Sequence, residues 1–270
     1  GGSDAEPTYT YPTYFAMVFT AGIAAGIVFW GPAEALFHYA SPPPAVGAAP
    51  RTEAALVGGL AYAFFHWGVS AWSAYLVVGV PVAYYAHVHG APLRVSAILT
   101  PFLGVDGLDG GLGRLVDVLA VFATVGGVAT SIALVGRQFL AGIDYQWGVT
   151  AGDLGPVLFV AGIAAVCVVS AASGVHRGIR RISGVTLALF VAFALLLVGV
   201  GPRPFLASTG GAALGRYVAA FPTMSLQFGG EWAAAWTVWN WSWWFSWAPF
   251  AGLFLAALSK GRRLRTVAFT

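Results

Sequence analysis

The segment EWAAAWTVWNWSWWFSW, from Glu231 to Trp247, contains seven of the eleven tryptophans of the chain. The face of an indole ring attracts cations, and it suits a quaternary ammonium group because that cation has no hydrogen-bond donor of its own. Indole also anchors helices at the two interfaces of a bilayer. The seven tryptophans extend over sixteen residues, which is roughly 24 Å of helix and most of the hydrocarbon thickness of a membrane. Some of them must therefore lie deep in a bilayer.

On a regular helix these tryptophans fall on two adjoining faces. One stripe holds Trp232, Trp236, Trp239, Trp243 and Trp247, and Trp241 and Trp244 lie beside it. An indole N–H without a partner in hydrocarbon is costly, so the stripe is expected to face packed protein or a wet cavity. Trp232 is expected near the membrane surface. Helix packing without a ligand remains the alternative.

A second aromatic segment, FFHWGVSAWSAY, runs from Phe64 to Tyr75. Taken as one helix, it presents Trp67, Trp72 and Tyr75 on one broad face. If that face meets Trp244, four rings enclose a small volume suited to a trimethylammonium group, with about 0.5 to 2 kcal/mol from each cation–ring contact. The two segments together therefore predict an aromatic box.

The amino-acid composition indicates the class of protein to which a chain with such a box belongs. Hydrophobic residues make up 59% of the 270 residues and charged residues only 9%, with a mean hydropathy of +0.79. Because soluble domains carry about a quarter charged residues, a soluble globule is excluded and an all-α polytopic membrane protein is expected. The five histidines are scattered, which argues against a membrane-embedded enzyme. A channel or a sensor stays open.

We predict a single, partial membrane domain over residues 1–270 with about six transmembrane helices and two surface helices. The spans are 14–39, 53–88, 112–140, 154–173, 182–200 and 232–258, and the surface helices are 92–103 and 210–223. Loops on the amino-terminal side hold nine Lys and Arg residues and the opposite loops hold four, so the amino terminus of the chain is predicted to be cytoplasmic. Because the chain lacks an initiator methionine and ends in a basic turn, it is expected to be a piece of a longer protein.

Three segments carry a resemblance to a known family. WTVWNWSWWFSWAPFAGLFLAALSKGR, FHWGVSAWSAY and DGGLGRLVDVLAVFATVGGVATSIALVGRQ closely resemble, in collinear order, the betaine/choline/carnitine transporter family. The resemblance implies a secondary transporter of betaine, choline, carnitine or similar osmolytes, working by cation-coupled symport and alternating access in the plasma membrane, with a homotrimer as the assembly. It also implies an inverted-repeat core like that of the neurotransmitter:sodium symporters, of which this chain covers the third to eighth spans.

The resemblance assigns the substrate site residue by residue. Trp67, Trp72, Tyr75 and Trp244 match the box around the ammonium group, and Trp241, Trp243 and Trp247 match aromatics along the pathway beside it. Gly22, Ile23, Ala24 and Gly26 match an unwound stretch whose backbone meets the substrate carboxylate. Many family members have a glycine where this chain has Ala24, and the small residues also suit close helix packing.

The resemblance further implies sodium as the coupling ion. Thr124 and Ser131 match hydroxyl positions of one proposed sodium site, and Thr20 and Ile23 match backbone positions of a second. Val128 stands where the sodium-coupled pattern has a threonine, so sodium-independent exchange of the same substrates stays open. We expect membrane lipid as a partner, no nucleic acid and no covalent cofactor. Of the ionisable residues inside spans, His66 is expected to bond a nearby carbonyl and Glu34 to pair with an arginine.

Overall fold

The computed structural model describes residues 6–22, 25–172 and 175–270, with the backbone alone for 25, 26 and 175–177. All of the regular structure in these ranges is helical. The longer helices are α1 (Tyr11–Gly22), α2 (Ala25–Ala40), α3 (Glu53–Trp67), α4 (Val69–His89), α5 (Gly111–Trp147), α6 (Leu154–Ala172), α7 (Val175–Val200), α8 (Gly211–Leu226) and α9 (Trp239–Leu258).

Four of these helical segments are long and apolar enough to cross a membrane: Glu53–His89, Gly111–Trp147, Leu154–Ala172 and Gly178–Val200. A fifth is added if α1 and α2 together count as one span. They correspond to the first five predicted spans, although the third continues seven residues beyond its predicted end at 140. The tryptophan-rich helix is not among them, because its indole N–H groups, Asn240 and serines make it less apolar.

The predicted surface segments have helical structure of different kinds. Residues 92–103 contain a 3₁₀ helix, Val95–Leu99, followed by a short α-helix, Thr100–Leu103. This segment is tied to α5 by Asp117, whose carboxylate accepts hydrogen bonds from the Ser96 backbone N–H at 2.8 Å and the Ser96 hydroxyl at 2.9 Å. The second segment corresponds to α8.

The second predicted span is interrupted at Gly68, between α3 and α4. Thr52 caps the start of α3 by accepting the backbone N–H of Ala55 at 3.2 Å, which satisfies one of the free donors of a helix terminus. At the interruption, a Cβ on residue 68 would stand only 2.3 Å from the carbonyl oxygen of Phe64. Glycine is therefore the residue that fits, and the expectation of one continuous helix from Phe64 to Tyr75 is wrong.

The tryptophan-rich helix is also irregular. It begins with Glu231–Ala233, passes through one π-helical turn, Ala234–Val238, and continues as α9. A π-helical turn inserts extra residues into the helix and rotates the faces that follow it. Trp232 and Trp236 therefore do not share one stripe with the tryptophans of α9, and the predicted single stripe is corrected.

The chain divides into two compact units, each with its own core. The first consists of the described residues of 1–26, 77–189 and 246–270, and the second of residues 27–76 and 190–245. In the first, Val82, Ala97, Leu108 and Ala256 form a buried cluster. In the second, α3 packs against α8 through Tyr62, Phe65, Tyr217 and Met224.

Small residues bring α4 and α9 close together within the first unit. A Cβ on Gly252 would stand 2.7 Å from Cβ of Val78, and a Cβ on Gly79 would stand 3.1 Å from the carbonyl oxygen of Gly252. Helices in membranes associate through such small-residue contacts, because lipid removes the hydrophobic driving force between them. The two glycines therefore set the approach of α4 to α9.

Candidate binding site

The second unit brings together the four rings of the predicted box. The ring centroid of Trp244 lies 6.0 Å from that of Trp67, 6.1 Å from that of Trp72 and 5.2 Å from that of Tyr75. The rings of Trp72 and Tyr75 are 6.3 Å apart with an interplanar angle of 74°. Trp244 therefore lies at the centre of the cluster and contacts each of the other three rings.

Two of the ring pairs come near the geometry of adjacent walls around a small cation. A cation about 4.5 Å above each of two perpendicular rings requires ring centroids about 6.4 Å apart. The Trp67–Trp244 pair, at 6.0 Å and 69°, and the Trp72–Tyr75 pair, at 6.3 Å and 74°, come near this arrangement, whereas the two pairs of Trp244 with Trp72 and Tyr75, at 45° and 50°, are tilted too little for it. Plain aromatic packing uses similar separations, so the polar atoms around the rings carry the further argument.

Local structure on both sides of Gly68 sets the position of three of the rings. Trp67 is the last residue of α3, and Trp72 and Tyr75 are three residues apart on α4, where side chains are neighbours. Ala71 and Ala74 are buried in the same cluster. These small side chains leave room for the rings to approach Trp244.

Trp244 itself keeps one polar group without a partner. Its side chain is 5% exposed, and among the described residues its Nε1–H has no hydrogen-bond acceptor. A buried donor of this kind is costly unless a ligand or water accepts from it. The cluster therefore offers ring faces to a cation and a free N–H to an anionic or carbonyl oxygen.

The structure separates the other three predicted pathway tryptophans. Trp243 lies beside the box, with its ring 6.1 Å from that of Trp67. Trp241 packs instead against Phe65 and Phe228, at 5.6 Å and 5.5 Å, and belongs to the core between α3 and α8. Trp247 belongs to the first unit, where its Nε1–H donates to the hydroxyl of Ser131 at 2.8 Å.

The small-residue stretch is described only in part. Gly22 is the buried last residue of α1, and Gly26 is the second residue of α2. Ile23 and Ala24 lie outside the described residues. The predicted backbone contacts of this stretch therefore stay a prediction.

The hydroxyls matched to sodium sites engage their own surroundings. Thr20 and Thr124 donate to the carbonyl oxygens of Ala16 and Ala120, at 2.7 Å and 2.8 Å. Thr124 and Ser131 are seven residues apart on α5, which is about 10 Å of helix rise. The predicted sodium sites stay a prediction.

A buried polar cluster, which sequence reasoning missed, lies against the box. Glu34 Oε1 contacts His66 Nδ1 and lies 3.1 Å from His38 Nε2, and Glu34 Oε2 accepts the indole N–H of Trp67 at 2.7 Å. His66 Nε2 is 2.9 Å from the hydroxyl of Thr237. The expected arginine partner of Glu34 and carbonyl partner of His66 are therefore wrong: in the described part of the chain, the two residues bond each other.

The same three residues also bear on metal binding. One ligand atom from each of Glu34, His38 and His66 lies within 4.8 Å of the others, and all three side chains are buried. The sequence signals for this cluster were ionisable residues inside predicted spans and the four-residue spacing of Glu34 and His38 on one helix. The approach of His66 from a separate helix is not revealed by spacing along the chain.

Trp232 packs beside the polar cluster. Its ring lies 4.8 Å from that of Tyr62 and 5.3 Å from that of His38. Its expected place near the membrane surface stays a prediction.

Apolar spans, a buried aromatic cluster and a buried carboxylate beside it define a polytopic helical membrane protein with a candidate cation site. The sequence profile of the BCCT, the betaine/carnitine/choline family of transporters, matches residues 1–270. The chain belongs to this family, which consists of transporters and not of enzymes.

Individual relatives agree with the family profile. The chain is 37% identical over 270 residues to a probable glycine betaine transporter of Desulfitobacterium hafniense, covering 100% of the chain and 54% of the relative. It is 35% identical over 271 residues to a glycine betaine transporter of Bacillus subtilis, covering 98% and 52%. A glycine betaine/proline/choline transporter of Vibrio parahaemolyticus is 32% identical, covering 98% and 51%. The chain thus spans about half the length of these relatives.

Proposed function

We propose that this chain carries the quaternary ammonium site of a secondary transporter for glycine betaine or a close relative such as choline or carnitine. The observation that carries the proposal is the convergence of four rings in one cluster, in which Trp244 is buried and Trp67, Trp72 and Tyr75 are partly buried. Family membership and the names of the relatives support betaine as the first substrate to test. Transport by alternating access, in a homotrimer in the plasma membrane, is part of the same proposal.

The residues of the box have separate tasks in binding. The ring faces hold the methylated ammonium group, which donates no hydrogen bond to water and so loses none when it leaves solution. The N–H of Trp244, which has no partner among the described residues, donates to the carboxylate or hydroxyl end of the substrate. Trp244 is buried and the other three rings are partly buried, and reduced contact with water strengthens both interactions.

Removal of the central ring tests the proposal. In the intact protein reconstituted into liposomes, Trp244→Ala is expected to raise the KM for glycine betaine uptake by about tenfold or more, because Trp244 contacts all three other rings. Trp147→Ala is the matched control, since Trp147 is 71% exposed at the end of α5. Unchanged KM in Trp244→Ala, or an equal rise in both variants, would contradict the proposal.

The coupling ion needs a separate measurement. We propose sodium, which supplies an inward driving force when a sodium gradient is present. Uptake above the external concentration with a sodium gradient, and its loss when potassium replaces sodium, is the expected result. Exchange of internal for external betaine without any gradient would instead favour a sodium-independent exchanger, and non-saturable flux would favour a channel.

A further inference from the structure

The carboxylate of Glu34 links the aromatic box to a buried hydrogen-bonded chain. It accepts the N–H of Trp67 through Oε2 at 2.7 Å and contacts His66 and His38 through Oε1. The chain continues from His66 to Thr237. Glu34 is 2% exposed and the two histidines are fully buried, so water does not compete for these hydrogen bonds.

The proton positions follow from the donors and acceptors available. An ionised carboxylate only accepts, so His66 Nδ1, His38 Nε2 and Trp67 Nε1 must all donate to Glu34. His66 Nε2 is then free to accept from the hydroxyl of Thr237. His38 Nδ1 has no donor near it among the described residues, as expected of a neutral imidazole with its single hydrogen on Nε2. The pattern is complete with two neutral imidazoles and one negative charge on Glu34.

We propose that Glu34 is a positioning residue that prepares Trp67 for cation binding, an inference that rests on the proposed function. The hydrogen bond fixes the rotation of the indole ring, so that the ring keeps its place beside Trp244. A negative acceptor on the indole N–H also pushes electron density onto the ring, because hydrogen-bonded groups polarise each other at low dielectric. The face of Trp67 then attracts a cation more strongly.

The cost of the buried charge supports the same role. A carboxylate inside a membrane span is expensive and is kept where it meets a partner or a pathway. The groups that donate hydrogen bonds to Glu34 are neutral, so they stabilise its negative charge but do not neutralise it. A quaternary ammonium ligand bound on the side of Trp67 that faces away from Glu34 places a positive charge near this carboxylate, with the indole ring between the two.

A double-mutant cycle between Glu34 and Trp67 tests the inference. Uptake of glycine betaine is measured in liposomes containing the intact protein, with Glu34→Gln, Trp67→Phe and the double variant. Glutamine keeps an acceptor oxygen but loses the charge, and phenylalanine keeps a ring but loses the N–H. Each single variant is expected to raise KM by about tenfold with the maximal rate within about twofold of wild type.

The double variant distinguishes positioning from an independent contribution. If Glu34 acts through the indole N–H, the double variant is expected to show about the same tenfold rise as either single variant, and not about a hundredfold. Multiplicative effects, or a Glu34→Gln protein with wild-type KM, would overturn the inference. So would a fall in maximal rate with KM unchanged, which indicates a role in folding or in the transport step.

Two further variants guard against misfolding and against a different role. Glu53→Gln is the matched control, because Glu53 is exposed in the first turn of α3, and its KM is expected to stay at the wild-type value. Thr237→Val removes only the end of the chain and is expected to raise KM by about threefold. If uptake by the wild-type protein required zinc and uptake by His38→Gln did not, Glu34 would be a metal ligand. That result would overturn the inference. Wild-type protein without saturable uptake would instead reject the proposed function itself.

Discussion

Two tryptophans three residues apart on α9 differ in the hydrogen bonding of their indole N–H groups. The N–H of Trp247 donates to the hydroxyl of Ser131 at 2.8 Å, whereas the N–H of Trp244 has no acceptor among the described residues. The first arrangement fixes α9 against α5 within the first unit, and the second leaves a donor for a ligand. The hydrogen bonds therefore distinguish Trp247, which packs against α5, from Trp244, which we propose binds the ligand, although both residues are tryptophans.

Loss of the Ser131 hydroxyl tests the packing role of Trp247. Ser131→Ala leaves a partly buried indole donor without its acceptor, so we expect a loss of about 1 kcal/mol in stability. The melting temperature of the detergent-solubilised protein measures it. Ser242→Ala is the control, because the exposed Ser242 hydroxyl bonds only the Val238 carbonyl of its own helix. Equal melting temperatures for the two variants would contradict this role.

At the scale of elements, apolar runs predicted most helices, and breaks in helices escaped prediction. Residues 111–147 and 154–172 form long helices because uninterrupted apolar sequence satisfies the backbone internally in lipid. The π-helical turn at Ala234–Val238 has no comparable signal, since alanine, threonine and valine occur in ordinary helices. This turn changes the faces on which Trp232 and Trp236 lie relative to the tryptophans of α9.

The sequence predicted the rings of the aromatic box better than it predicted the polar residues around them. Trp67, Trp72, Tyr75 and Trp244 were predicted to meet, and the structure brings them together. Glu34 and His38 are four residues apart on α2, a spacing that allows their contact. The contacts of Glu34 with His66 and Trp67 of α3 depend on how the two helices pack, so the polar support of the box appeared only in the structure.

The close approach of α4 and α9 gives a prediction at this scale. Gly252→Val places new methyl groups against Val78, where a single Cβ would already stand 2.7 Å away. Overpacking of this kind costs about 1 to 3 kcal/mol, so a lower melting temperature is expected. Gly162→Val on α6 is the control, because no atom lies within 4 Å of a Cβ built there. A Gly252→Val protein as stable as the control would contradict the packing.

At the scale of the whole molecule, apolar side chains are exposed along two helices, α6 and α7. Leu158 and Val168 on α6 are 67% and 66% exposed, and Leu195 on α7 is 67% exposed. Exposed apolar surface of this extent is unstable in water and is normal against lipid tails or a further protein surface. The chain is therefore a membrane-embedded protein, and its orientation in the membrane is the next quantity to measure.

Cysteine labelling tests the predicted orientation. Cys167, the only cysteine of residues 1–270, and any cysteine elsewhere in the intact protein are replaced by serine. Single cysteines are then introduced as Thr150→Cys and Lys260→Cys, both at exposed positions. The distribution of basic residues predicts that position 150 is outside and position 260 is cytoplasmic. A membrane-impermeant maleimide is therefore expected to label intact cells at 150 only. Labelling at 260 only would reverse the orientation.

The interruption at Gly68 divides the box between two helices. Trp67 is the last residue of α3, and Trp72 and Tyr75 lie in the first two turns of α4, so the rings come from both sides of the glycine. If the proposed ligand is held by rings from both helices, its occupancy and the angle between the helices influence each other reciprocally, as two linked equilibria must.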